Sequence, residues 1–212
     1  MVERINLECP SGIAANLFIT SLITIGVPSE IITRVPEQLG LPREFSVIHD
    51  GYAYDGEYRP KQGVEPPTGT AASMQALVKE KFPDGLGERI AHLLDVRYRF
   101  DTHRIRPGES YCDTLFDATA AVVGLKYLGY PKVSIHSPLP ITRNLHPVSH
   151  AILENWTWAP TEYEMELVTP TAAAILHEFA TQTTKPAKGI GIPIQGAFTR
   201  RHSLPPMVVY LG

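Results

Sequence analysis

Apolar and polar positions in this chain recur with two periods, and the switches between them mark its elements. Residues 4–9 (Arg-Ile-Asn-Leu-Glu-Cys) alternate with period two, the pattern of a short strand. Pro10-Ser11-Gly12 breaks it, and Ser11 stands where it can cap a following helix that carries Ile13, Leu17 and Thr24 near one face and ends at Gly26. Pro28-Ser29 opens a second short helix over 30–38. Residues 44–54 read as a strand, with Asp55-Gly56 as the turn into a hairpin partner. Helical periodicity returns at 70–81 and 85–98, and most strongly at 112–128, where Leu115, Ala118, Val122 and Leu125 share a face and Gly129 fits the C-terminus. Residues 132–136 predict a strand, 146–156 a helix, 163–168 a strand and 171–181 a helix. The last two strands are expected within 189–196 and at 207–211. Loose alternation of this kind predicts an α/β or α+β fold, a mixed β-sheet with helices packed on it in layers. We expect one domain over 1–212, with at most a subdivision near 56–69, where prolines and glycines gather.

Composition narrows the classes. Hydrophobic residues make up 43% and charged residues 19%, enough apolar content for a packed core. The formal net charge is −3, and the densest basic run, Arg200-Arg201-His202, is too short for an electrostatic footprint, so no nucleic-acid partner is expected. The apolar stretch 13–27 is interrupted by Asn16, Thr20, Ser21 and Thr24, which predicts a buried helix rather than a membrane span. Cys9 and Cys112 are the sole cysteines, too few for a disulfide framework, and a reducing, cytoplasmic location is expected.

Four places carry candidate chemistry. Glu8-Cys9-Pro10-Ser11-Gly12 lies at a strand-to-helix turn, which can aim backbone N–H groups at a phosphate or carboxylate or can merely cap a helix. Glu109, Asp113 and Asp117 recur every four residues, so all three face one side of a helix. Carboxylates on one face repel unless a cation relieves them, which suits a hard metal; a solvated acidic helix start is the alternative. Oxygen ligands alone favour Mg or Mn, and Cys112 or the histidines would add softer donors. His136 closes a strand, and His146 and His150 stand four apart on a candidate helix, without a His-Glu-x-x-His pattern. Thr169-Pro170-Thr171 suits a helix start, with Thr169 as the cap and Pro170 as the first helical residue.

In order along the chain, these blocks resemble the LarC family of nickel-insertion proteins. The family's Asp-Cys-Phe-Ser-Gly-Ile-Ser-Gly-Asp-Met stretch is similar to residues 8–17 here, with Glu8, Cys9, Ser11 and Gly12 in register and Asn16 in place of the second aspartate. Its Asp-Ser-x-x-Asp resembles Asp113-Thr114-Leu115-Phe116-Asp117, and its Ser-Pro-Leu-Pro matches 137–140. Glu166-Leu167-Val168-Thr169-Pro170-Thr171 matches its Glu-Leu-Val-Thr-Pro-Thr, with Ala172 where the family has glycine. The family's His-x-His-Glu segment is replaced by Arg104-Ile105-Arg106-Pro107-Gly108-Glu109, which removes imidazoles and adds positive charge. The resemblance covers the family's N-terminal portion; the portion tied to CTP binding has no counterpart in these residues.

That resemblance implies insertion of nickel into a pyridinium bisthiocarboxylate mononucleotide, the cofactor of nickel-dependent lactate racemase, by a chelatase of the lyase class if the chain is active. Asp113 and Asp117 would hold the metal, assisted by Glu109 and by His136 or Cys9. Ser11, Gly12, Thr169 and Thr171 would contact the mononucleotide phosphate. The alternative is a non-catalytic relative that binds a phosphorylated small molecule or assembles with a partner, with Arg104 and Arg106 as anion-binding groups. A Mg- or Mn-dependent hydrolase built on the carboxylates is a third reading. A separately encoded C-terminal partner and a homo-oligomer both stay open.

Overall fold

The computed structural model describes residues 2–49, 54–60, 69–101, 111–196, 199 and 201–212. The chain begins with β1 (Arg4–Glu8) and α1 (Ala15–Thr24), then the short helices α2 (Ser29–Thr33) and α3 (Val35–Gln38). The hairpin β2 (Arg43–His49) and β3 (Tyr54–Pro60) follows, then helices α4 (Ala71–Lys81), α5 (Leu86–Arg99) and α6 (Cys112–Tyr127). The second half runs β4 (Lys132–His136), β5 (Leu139–Ile141), α7 (Pro147–Ile152), β6 (Trp158–Pro160) and α8 (Pro170–Phe179). It closes with β7 (Ala180–Thr183), β8 (Ile192–Gln195) and β9 (Met207–Leu211).

Seven strands form one mixed sheet in the order β2-β3-β8-β9-β1-β4-β7. An interior strand, β1, pairs parallel with β4 and antiparallel with β9, and Ile5 and Leu7 are fully buried in it. β5 and β6 form a separate parallel pair. The expected architecture, a mixed sheet with helices packed on it, is therefore the one observed.

Helix α1 shows how a polar-interrupted segment becomes core. Thr20 Oγ1 donates to the Asn16 carbonyl at 2.7 Å, Ser21 Oγ to Phe18 at 2.6 Å and Thr24 Oγ1 to Thr20 at 2.8 Å. The hydroxyls that rule out a membrane span are thus satisfied inside the helix itself. Among the described residues, no helix is long and apolar enough to cross a membrane. Helix α6 is buried on most sides, from Cys112 to Leu125, and α1, α5 and α8 pack around it. Apolar side chains from Ile5 to Val209 join in one continuous buried cluster.

The helices over 70–81 and 85–98, the strand at 132–136 and the strand at 207–211 stand where the patterns predict them, within a residue or so. Thr70 and Ser73 cap α4 reciprocally. Other expectations need correction. Ser11 caps no helix, because α1 starts at Ala15, after Gly12 and Ile13 have crossed beside Leu167 and Val168. Asp55-Gly56 is not a turn but lies inside β3, paired with Ile48 and Val47; the hairpin connection, 50–53, lies outside the described residues. Residues 163–168 form no strand: Leu167 lies against Gly12, and Val168 makes a single bridge to Ile13. Residues 180 and 181, expected as the end of a helix, instead open β7, which pairs with β4. The helix expected over 146–156 is shorter, Pro147–Ile152.

Candidate functional site

Two close backbone approaches build the site. Gly12 has φ +78°, and a Cβ there would come within 2.0 Å of the Leu167 carbonyl oxygen. Only glycine lets this loop pass so close, and Ile13 N–H then donates to that carbonyl at 2.8 Å while Thr169 N–H donates to Ile13 at 3.3 Å. The crossing ties the loop after β1 to the start of α8. The second approach is at Gly56, where a Cβ would fall 1.9 Å from Thr20 Oγ1; Asn16 Nδ2 donates to the Gly56 carbonyl at 3.0 Å. This sets β3 against α1.

Between these elements lies a pocket of about 380 Å³ lined by Asn16, Arg43, Asp113, Asp117, Thr169 and Thr171 among others. Two sequence blocks more than fifty residues apart, the Asp113/Asp117 helix face and the Thr169 turn, therefore meet at one place. Arg43, at the start of β2, makes an ion pair with Asp113 and lies 5.2 Å from the centre of the Tyr58 ring. Tyr58 in turn stacks on Phe116 at 4.2 Å and 3°, so the arginine, the tyrosine and α6 hold one another in place.

The electrostatics are those of two crowded carboxyls. Burial pushes the Asp113 carboxyl above its ordinary range, and the Arg43 guanidinium pulls it part of the way back. Burial, with Asp113 adding to it, pushes Asp117 well above that range. Asp117 makes no hydrogen bond or ion pair among the described residues. Thr169 caps α8, its Oγ1 accepting from Ala172 N–H at 3.4 Å, and Pro170 is the first helical residue, as the sequence predicts. The Thr171 backbone N–H is among the uncapped groups at the helix start.

The remaining candidates fall elsewhere. Cys9 is buried in the core and lines neither this pocket nor its neighbour; burial, with Glu8 contributing, pushes its thiol up to about 12, which makes it a poor nucleophile or ligand. Gly12 spends its N–H on the Cys9 carbonyl at 3.0 Å, so its part is to allow the crossing rather than to hold a phosphate. Ser11 lines an adjoining cavity. His136 ends β4 opposite Thr183 and is not part of the pocket wall. His146 and His150 do not converge: His146 Nδ1 accepts from Val148 N–H at 3.2 Å, and His150 stacks on Trp158. Glu109, Arg104 and Arg106 lie outside the described residues. Among the described residues, no group of three or more His, Cys, Asp or Glu side chains is placed to hold a metal ion. Arg43 was not foreseen; it lies 70 positions from Asp113 and no local pattern announces it.

The fold and this pocket define a mixed α/β protein with an acidic pocket beside a helix start. The chain is similar to two proteins named "Putative nickel insertion protein". One, from Geobacter metallireducens, is 24% identical over an alignment of 207 positions that covers 82% of this chain and 51% of that protein. The other, from Pelobacter propionicus, is 26% identical over an alignment of 234 positions that covers 94% of this chain and 57% of that protein. The chain is thus similar over most of its length to two proteins of that name, and it spans about half the length of the curated relatives it matches. No family model matches the chain, and no solved structure does.

Proposed function

We propose that this chain takes part in nickel insertion, with Asp113 and Asp117 as the place where the metal is held before it passes to an organic ligand. The ligand on this reading is the pyridinium bisthiocarboxylate mononucleotide of nickel-dependent lactate racemase. One observation carries the proposal: the two aspartates share a pocket with Asn16 and the Thr169-Pro170-Thr171 helix start. Two carboxylate oxygens bind nickel loosely and leave its other positions to water and to the softer donors of an incoming ligand, which suits transfer more than storage. Nickel entering the pocket would displace the proton that burial favours on Asp117 and would release Arg43 from Asp113. The freed guanidinium and the α8 N-terminus would then face the phosphate. This reading expects the mononucleotide as partner, together with a chain or segment carrying the remaining family portion.

A second reading, a non-catalytic binding relative, is favoured by the Arg43–Asp113 ion pair, which already supplies a cation to the pocket. Calorimetric titration of reduced, metal-free protein with nickel, Mn and Mg separates the two. Nickel insertion predicts saturable nickel binding that tightens as pH rises through the raised range of Asp117 and is absent in a folded Asp113→Ala/Asp117→Ala variant. Failure of all three metals to bind would favour the second reading, which predicts phosphate binding that Arg43→Gln abolishes.

A further inference from the structure

Period-two alternation gives β1 and β4 two unlike faces. Ile5, Leu7, Val133 and Ile135 are buried on one, while Arg4, Asn6, Lys132 and Ser134 stand on the other, exposed or half-buried. β7 and β8 lie on opposite sides of β4, β1 and β9 in the sheet, so the connection between them, 184–191, must cross all three. It passes over the polar face and leaves a groove of about 720 Å³ between itself and the sheet. Asn6 and Ser134 line the sheet wall of this groove and Lys185 and Lys188 the opposite wall, with Arg4 and Lys132 beside them. The groove shares no residue with the acidic pocket.

The charge of the groove runs against that of the chain. Acidic residues outnumber basic ones 22 to 19 overall, yet four cations line the groove against one acidic side chain, Glu3. Gly212 lies on the same wall, and even a carboxylate there would leave the cations in excess. Among the described residues, Arg4, Lys132, Lys185 and Lys188 make no ion pair, and the Asn6 and Ser134 side chains make no hydrogen bond. Like charges gathered round one hollow repel one another until an anion enters. A hollow of this size admits a small molecule, whereas a nucleic acid would need cations spaced along a stripe and a flat membrane surface cannot enter it. Lysine heads are compact point charges that can approach an anion from several sides, which suits the spread oxygens of a phosphate chain or a tricarboxylate. We infer that this groove binds a small anion of three or more charges, an oligophosphate or a polycarboxylate. The site is separate from the acidic pocket, and the inference stands whether or not the nickel reading holds.

Calorimetry on reduced, metal-free protein at low ionic strength tests this, with tripolyphosphate, citrate and inorganic phosphate as probes and no divalent cation present. Tripolyphosphate or citrate should bind saturably and about tenfold or more tighter than phosphate, and added salt should weaken the binding. The tighter of the two tells phosphate recognition from carboxylate recognition. Lys132→Ala/Lys185→Ala removes one cation from each wall and should weaken binding about tenfold or more. Lys79→Ala/Lys81→Ala removes the same charge from α4, outside the groove, and should change binding less than about twofold. All four lysines are exposed, so both double variants should keep the parent's circular dichroism spectrum. The inference is overturned if neither polyanion binds saturably, if phosphate binds as tightly as they do, or if Lys132→Ala/Lys185→Ala weakens binding no more than Lys79→Ala/Lys81→Ala.

Discussion

Asp117 is the residue on which the chemistry turns. Its carboxyl, raised well above the ordinary range by burial, keeps its proton to higher pH in the folded chain than in the unfolded one. The folded state therefore binds more protons across that window, and stability falls as pH rises from the ordinary carboxyl range through the folded value. Asp117→Asn removes this loss. Thermal unfolding should find the metal-free variant more stable than the parent at neutral pH by about 1 kcal/mol, with the difference vanishing at acidic pH. A variant less stable at every pH would mean that the carboxylate has a partner that matters more than its burial. Arg43 makes the complementary case. Its ion pair with Asp113, which is 59% exposed, is worth little in water but competes directly with a metal. Arg43→Gln should tighten nickel binding about two- to fivefold in calorimetry if the pocket is a nickel site. The spacing of Asp113 and Asp117 was legible in the sequence because helical periodicity alone puts both on one face. Their partner was not, since only the folded sheet brings β2 to α6.

At the scale of elements, the loop between β1 and α1 does what the sequence assigned to a helix cap. Ser11 and Gly12 looked like a capped helix start because small and polar residues serve there, but Gly12 is needed for the crossing over Leu167. Two glycines with positive φ separate the causes. Gly26 has φ +118° and open space around it, so Gly26→Ala should cost about 1 kcal/mol from backbone strain alone. Gly12→Ala adds the clash with Leu167 and should cost more than about 2 kcal/mol in denaturant unfolding. Equal losses would mean that the crossing is loose and does not position the Thr169 turn. The segment 163–168 was misread for a related reason: alternation tells which residues are buried, not whether a neighbouring strand is present to pair with them. The Thr169 cap and Pro170 were read correctly because both preferences are local.

For the whole molecule, the mixed sheet with helices against it followed from the alternation of elements, whereas strand order did not, because β9 inserts beside β1 from the far end of the chain. The interior strand β1 leads into the Gly12 crossing, and α6 and α8 bring their site residues to the same pocket. The account rests on nickel lying there. Crystals of the nickel-loaded protein, measured at the nickel absorption edge, test this most directly. The account predicts one anomalous peak between the Asp113 and Asp117 carboxylates, with the Arg43 side chain displaced from Asp113. A peak elsewhere, for instance at the exposed His92–Glu178 pair (3.1 Å), with the acidic pocket empty, would contradict it.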